Sequence, residues 1–203
     1  MNIAIAALMG YLLGSINTAY LIVKAKGLDI RDIGSNNAGA SNVFISVGKG
    51  HGVLVGVLDI LKGFLAVKLA AFLFPENAFL PIVAGVCAVL GHIFPFWMKF
   101  RGGKGLATYM GLLLGINWRY FVAMAILLVA VLLITDFIGL GTITVAVTMP
   151  FVLFFEKTDI AIVAIFVGLG IVICCKHIIN IRRILNKTEV GFLRKNRDLL
   201  NKK

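Results

Sequence analysis

Long apolar blocks, interrupted by short polar breaks, run through this chain from Ile3 to Cys175. A bilayer hydrocarbon core about 30 Å thick takes roughly 20 helical residues to cross, and most of these blocks are of that order. Only 14% of the residues are charged, well below the roughly 25% of an ordinary soluble domain, which excludes a water-soluble fold. A backbone in lipid must satisfy its own hydrogen bonds, so the blocks read as helices. The expected fold is an all-α integral membrane protein with candidate spans 2–23, 52–74, 79–98, 105–117, 119–134, 137–155 and 159–175. The first block has no basic region before it and runs into a glycine-rich loop, so it reads as a retained span and not as a cleaved signal.

The formal net charge of +11 raises the question of nucleic acid, but the charge is confined. Sixteen of the 20 Lys and Arg residues lie in 24–50, 99–104 and 176–203. Basic loops stay cytoplasmic, which places these three segments on one face and leaves the breaks at 75–77 and 156–159 on the other. Nucleic acid is therefore not an expected partner. Even numbers of crossings must separate the three segments, which gives seven spans with the N-terminus outside and the C-terminus cytoplasmic. Five spans keep the same parity if two weak segments only dip into the membrane, and 105–117 is short enough to do so. Residues 1–203 read as a single polytopic domain with a basic interfacial tail, 176–203. Residues 35–48 read as a short interfacial or re-entrant helix. Cys87, Cys174 and Cys175 lie in or at the end of apolar runs without metal-ligand spacing, so structural packing is expected of them, with no metal and no cofactor.

Three constellations carry the candidate chemistry. The first, Gly34-Ser35-Asn36-Asn37-Ala38-Gly39-Ala40-Ser41-Asn42, combines small residues that let backbone amides converge with side chains that donate and accept hydrogen bonds. The second, Arg101-Gly102-Gly103-Lys104-Gly105, follows His92 and Pro95 and sets three glycines around one lysine, which suggests exposed amides beside a mobile positive charge and hence a phosphate. It lacks the spacing of a Walker A loop. The third, His177, Asn180, Arg182 and Arg183, puts His177 and Asn180 on one helix face. Within the apolar blocks, Asp59 and Lys62 stand at i,i+3 and read as a structural ion pair. The chain has no His-x-x-x-x-Asp, no Gly-x-Ser-x-Gly and no clear pair of acids, so any catalysis must rest on positioning and charge stabilisation.

In this order and spacing the constellations resemble the bacterial membrane acyl-phosphate:glycerol-3-phosphate acyltransferase family. The resemblance runs nearly end to end: Gly14-Ser15, Gly34 through Asn42, Leu58-Asp59-Ile60-Leu61-Lys62-Gly63, Gly91-His92 with Pro95, Phe100 through Thr108, and His177-Asn180-Ile181-Arg183 with Glu189. The run Gly-Gly-Lys-Gly-x-Ala-Thr is its most specific element. The resemblance implies transfer of a fatty acyl group from acyl phosphate to the 1-hydroxyl of glycerol 3-phosphate, giving lysophosphatidate and phosphate at a bacterial cell membrane, with the site toward the cytoplasm. Ser35, Lys104 and His177 become candidate catalytic residues. Asn37, Ser41, Asn42, His92, Arg101, Gly102, Gly103, Thr142 and Asn180 become candidate substrate-binding residues. The implied partners are the two substrates and membrane lipids, with the acyl-phosphate-producing enzyme a candidate protein partner.

Departures from the family pattern gather near this site. Asn36 stands where glycine is usual, Ser41 for threonine, Ile45 for a phosphate-binding arginine, Asp136 for a basic residue, Ile178-Ile179 for a charged pair and Lys187 for glycine. Gly139 and Thr142 replace a serine-rich stretch, although Thr142 retains a hydroxyl. Isoleucine cannot replace a guanidinium on phosphate, and Arg101 or Lys49 are the candidate compensating cations. Two competing expectations follow: a divergent homologue with an altered acceptor or lost activity, and an organic-phosphate transporter, for which short glycine-interrupted spans are the motive.

Overall fold

A computed structural model of the chain describes residues 1–193. Among these all regular structure is helical: α1 (Asn2–Ser15), α2 (Thr18–Lys24), α3 (Ala40–Ser46), α4 (Lys49–Leu73), α5 (Phe79–Ile93), α6 (Leu106–Ile116), α7 (Trp118–Thr135), α8 (Ile138–Phe155) and α9 (Ile160–Leu185), with 3₁₀ turns at Ile30–Asp32 and Phe96–Met98. Five stretches are long and apolar enough to cross a membrane: Asn2–Lys24, Phe79–Met98, Trp118–Thr135, Ile138–Phe155 and Ile160–Leu185. Helix α4 has 25 residues but carries Asp59, Lys62 and Lys68, and α6 has 11, a length of about 16 Å. The segment read as a helix over 35–48 is helical only at Ala40–Ser46, because the residues before it form a stitched turn. The last span and the helical start of the tail are one continuous helix, α9. The end of the basic tail, 194–203, lies outside the described residues.

The chain gathers into two compact units, Met1–Phe121 and Val122–Lys203. In the first, α1 lies against α5 and α4 against α6. Lipid gives no hydrophobic drive to join one apolar helix to another, so close backbone approach through small residues must supply the contact. Gly10 and Gly14, one turn apart on α1, meet the backbones of Ala84 and Ala88 on α5, and a Cβ on either would run into a carbonyl oxygen. Gly111 meets α4 at Ile60 in the same way. Replacing Gly14 by leucine is therefore expected to destabilise the protein by about 3 kcal/mol or more, read as a fall in the detergent melting temperature, whereas the same change at Gly50, with open space around it, leaves the melt unaltered.

The first apolar block is not one helix. Asn17, fully buried, caps α2 by accepting the Tyr20 N–H at 2.8 Å, and the chain is extended at Ile16 and Asn17. A break inside an apolar span frees backbone groups that must find partners, and each residue from 15 to 18 finds one. The Ser15 carbonyl accepts the Trp97 indole N–H at 2.8 Å, the Ile16 carbonyl accepts Lys62 Nζ at 2.8 Å, Asn17 Nδ2 donates to the Ala38 carbonyl at 3.1 Å, and Thr18 Oγ1 donates to Asp59 at 2.8 Å. A single kink thus anchors α4, the loop before α3 and the loop after α5.

In the second unit α8 packs on α9, and Val145, Ala146, Met149 and Leu153 of α8 and Val163, Phe166, Leu169 and Ile173 of α9 are buried. Pro150 interrupts the hydrogen bonding of α8 and frees the Ala146 carbonyl. A Cβ on Gly170 of α9 would stand 3.0 Å from that carbonyl, which fits a glycine at the crossing. Along α7 only Met124 is buried.

Candidate active site

The loop joining α2 to α3 is organised by one side chain. Asn42, 3% exposed, accepts the Ser35 N–H at 3.0 Å and directs its amide nitrogen to the carbonyls of Ile33 (2.9 Å), Asn37 (3.0 Å) and Ile30 (3.2 Å). Its oxygen also accepts Ser46 Oγ at 3.2 Å. Asn36 has φ 61, a left-handed conformation that asparagine tolerates better than most residues, and its amide donates to the Arg31 carbonyl at 2.7 Å. The place where the resemblance has glycine is therefore one that requires positive φ. Arg31 also pairs with Asp29 (2.6 Å) and lies over the Tyr20 ring. The hydrogen bond from Arg31 holds the Asp29 carboxyl below its usual range against the opposing effect of burial, so this tie is present at neutral pH and is lost as pH falls through the lowered value. What the loop presents outward is Ser35, exposed, with Asn37 and Ser41 half-buried beside it.

The second loop does not display its amides as the sequence suggested. Lys99 and Phe100 both take positive φ (55 and 59) and turn the chain back on the end of α5. The Gly102 N–H then donates to Ile93 O at 3.2 Å and the Gly103 N–H to His92 O at 3.1 Å. These two amides are consumed by α5, and the glycines are needed because a Cβ on Gly102 would strike the His92 carbonyl and one on Gly103 the His92 imidazole. Arg101 is exposed and Lys104 half-buried. Gly105, at φ 98, caps α6, whose first turn has amides without intrahelical partners and a positive dipole end beside Lys104.

Behind this loop lies a buried polar set. Asp59 is 1% exposed, His92 3% and Lys62 7%. Lys62 Nζ stands 2.8 Å from Asp59 Oδ1 and 2.9 Å from His92 Nδ1, in addition to its bond to Ile16 O. The expected Asp59–Lys62 ion pair is thus present, with His92 as an unforeseen third member. An ammonium only donates, so His92 accepts at Nδ1 and carries its proton at Nε2, the atom toward Gly103. His92 therefore sits under the lysine loop and not on its outer surface.

In the second unit, His177 (3% exposed) and Asn180 share one face of α9, as their spacing predicted. Gly139 of α8 lies against both, in contact range of His177 Cδ2 and Asn180 Cβ. His177 Nδ1 lies 2.8 Å from the Ile173 carbonyl. A carbonyl only accepts, so Nδ1 bears a proton and Nε2 can accept one or, in the imidazolium, donate. Asn180 Nδ2 donates to Glu189, which orients the amide. The Thr142 hydroxyl donates to Ile138 O at 2.8 Å, so its oxygen is left as an acceptor. Asp136, at φ 64 between α7 and α8, accepts the Phe192 N–H on its carbonyl and the Leu193 N–H on its carboxylate, pinning the segment after α9. Sequence reasoning missed Asn17 altogether, although a lone amide inside an apolar span is a signal that it has a partner.

Five membrane-length apolar helical stretches define an integral membrane protein, whose polar side chains include Lys104 at a glycine-tethered helix start, Ser35 on an asparagine-stitched loop and the His177–Asn180 face of α9. A profile of glycerol-3-phosphate acyltransferases matches residues 4–187, and the chain belongs to this family. A glycerol-3-phosphate acyltransferase of Mesorhizobium japonicum is 41% identical over 93% of this chain and 95% of the relative, and one of Prochlorococcus marinus is 37% identical over 93% and 96%. Among solved structures, PlsY (YgiH), an integral membrane glycerol 3-phosphate acyltransferase, is similar in its glycerol 3-phosphate form, with TM-score 0.87 and 32% identity over 94% of this chain and 96% of that one. Its lysophosphatidic acid form gives TM-score 0.84.

Proposed function

We propose that this protein transfers a fatty acyl group from acyl phosphate to the 1-hydroxyl of glycerol 3-phosphate, releasing lysophosphatidate and phosphate. The observation that carries the reading is Lys104 at the start of α6, on a loop tied by two backbone bonds to the end of α5. The donor is already activated. The hydroxyl oxygen forms a bond to the acyl carbon, the bond from that carbon to the phosphate oxygen breaks, and the departing phosphate takes the hydroxyl proton. Catalysis then consists of holding two phosphates and aligning hydroxyl with carbonyl. Lys104 neutralises phosphate charge, and Ser35 contributes a hydroxyl with Asn37 and Ser41 nearby. His177 and Asn180 would hold phosphate oxygens. Asn42, Gly102, Gly103 and His92 shape these loops, Arg101 contributes positive potential, and Thr142 accepts.

The seven-span topology, with N-terminus outside and C-terminus cytoplasmic, fits this reading if α4 and the short α6 count as crossings within a single membrane domain. It puts all three motif regions on the cytoplasmic side, where soluble glycerol 3-phosphate and the acyl-phosphate-producing enzyme would meet them. Ile45, half-buried on α3, favours a second reading in which the acceptor differs, since an aliphatic side chain holds no phosphate. Phosphate release by the purified protein given palmitoyl phosphate and glycerol 3-phosphate separates the two. Release that requires both substrates supports the first reading. Release only by Ile45→Arg would make the natural chain a re-purposed relative, and silence in both would end the acyltransferase assignment.

A further inference from the structure

We infer that the buried Asp59–Lys62–His92 set is a positioning device for the Lys104 loop, acting on substrate affinity without touching substrate. Lys62 is held by three acceptors from three helices or their breaks: Asp59 at 2.8 Å, His92 Nδ1 at 2.9 Å and Ile16 O at 2.8 Å. Three bonds in a tripod fix an ammonium in place, and the ammonium in turn fixes the tautomer and rotation of the imidazole. The other edge of that ring is the surface against which Gly103 rests: a Cβ there would strike Nε2, and would also stand 2.9 Å from the Ala38 carbonyl. Ala38 O is itself held by Asn17. Gly103 is thus seated between a ring keyed by the buried cation and a carbonyl keyed by the helix break, and Lys104 is the next residue.

A purely structural ion pair needs only Asp59 and Lys62. The third bond, to His92, ties that pair to the loop, and the backbone of His92 receives the Gly103 N–H at 3.1 Å. The same residue therefore contacts the loop through its backbone and its ring. Side chain and backbone together restrict where Lys104 begins, which is what a phosphate clamp requires to hold a substrate in a reactive position.

The inference rests on the acyltransferase reading for its kinetic test and is independent of it for its structural one. His92→Leu keeps side-chain bulk and removes the acceptor for Lys62, while His92→Gln keeps an acceptor. In full-length protein in detergent, His92→Leu is expected to raise KM for glycerol 3-phosphate or palmitoyl phosphate about tenfold with a smaller change in kcat, and His92→Gln to restore most of that loss. Backbone hydrogen exchange across 101–107, measured without substrate, is expected to quicken about tenfold in His92→Leu and to stay near the natural rate in His92→Gln. Equal KM values and equal exchange in all three proteins overturn the inference, as does equal damage in both variants, which would mean that the ring's bulk matters and the bond does not. Should His92→Leu fail to fold, Asp59→Asn/Lys62→Gln, which removes both charges together, is read for the same exchange and overturns the inference if the loop is undisturbed. A natural protein without turnover fails the acyltransferase reading alone, because the exchange comparison still decides this one.

Discussion

Lys104→Ala is expected to lower kcat/KM for lysophosphatidate formation by about 10²- to 10³-fold, the usual effect of removing one donor from a preorganised anion site. Gly102 and Gly103 give their amides to α5 and leave none for a ligand, so the positive end of α6 and the Lys104 ammonium carry the attraction for phosphate. The developing charge on the departing phosphate is greatest in the transition state, so the loss falls on kcat as well as on KM. Lys104→Arg keeps the charge but replaces a compact ammonium with a planar fork, and is expected to recover only part of the rate. Both are read from phosphate release, with lysophosphatidate quantified by mass spectrometry. A folded Lys104→Ala protein with the natural rate would remove Lys104 from the mechanism and with it the main support for a phosphate clamp on this loop.

Much of the architecture was legible because lipid allows few solutions. The alternation of apolar blocks and polar breaks foretold helices, and the i,i+3 spacing of Asp59 and Lys62 foretold their pair. The breaks within blocks were less visible. Asn17 starts α2 through a cap and makes a tertiary bond to Ala38, and only the second of these, made to a carbonyl 21 residues away, explains why an amide is buried there. His92 joined the ion pair from another helix, a choice of partner that no local spacing encodes. The glycine loop was misread for a physical reason: glycine serves both to expose an amide and to permit close approach, and the sequence is the same in either case. Some departures from the family pattern became intelligible through φ. Asn36 and Lys187 stand where glycine is usual, and both adopt left-handed backbone, at φ 61 and 57, so the conformation is kept while the residue changes. Ile45 has no such account.

The largest expected loss of stability comes from Lys62→Met. This change keeps the length of the side chain and removes its charge, leaving the Asp59 carboxylate 1% exposed with the Thr18 hydroxyl still donating to it at 2.8 Å. Removing one member of a buried ion pair leaves an uncompensated charge and typically costs about 3–5 kcal/mol. Lys62→Met also strips the Ile16 carbonyl of its donor at the helix break, where no backbone partner replaces it. For a chain of this size the combined effect corresponds to a fall of roughly 10 °C in the detergent melting temperature. Asp59→Asn/Lys62→Gln should lose much less, because amides can exchange hydrogen bonds in the same place without an unpaired charge. Adding Asp59→Asn and Lys62→Gln as single variants closes a double-mutant cycle, and its sign carries the conclusion: strong coupling means that each charge is held in α4 for the other, whereas additive losses would mean that the two side chains contribute independently and that the kink at Ile16 is held by other bonds.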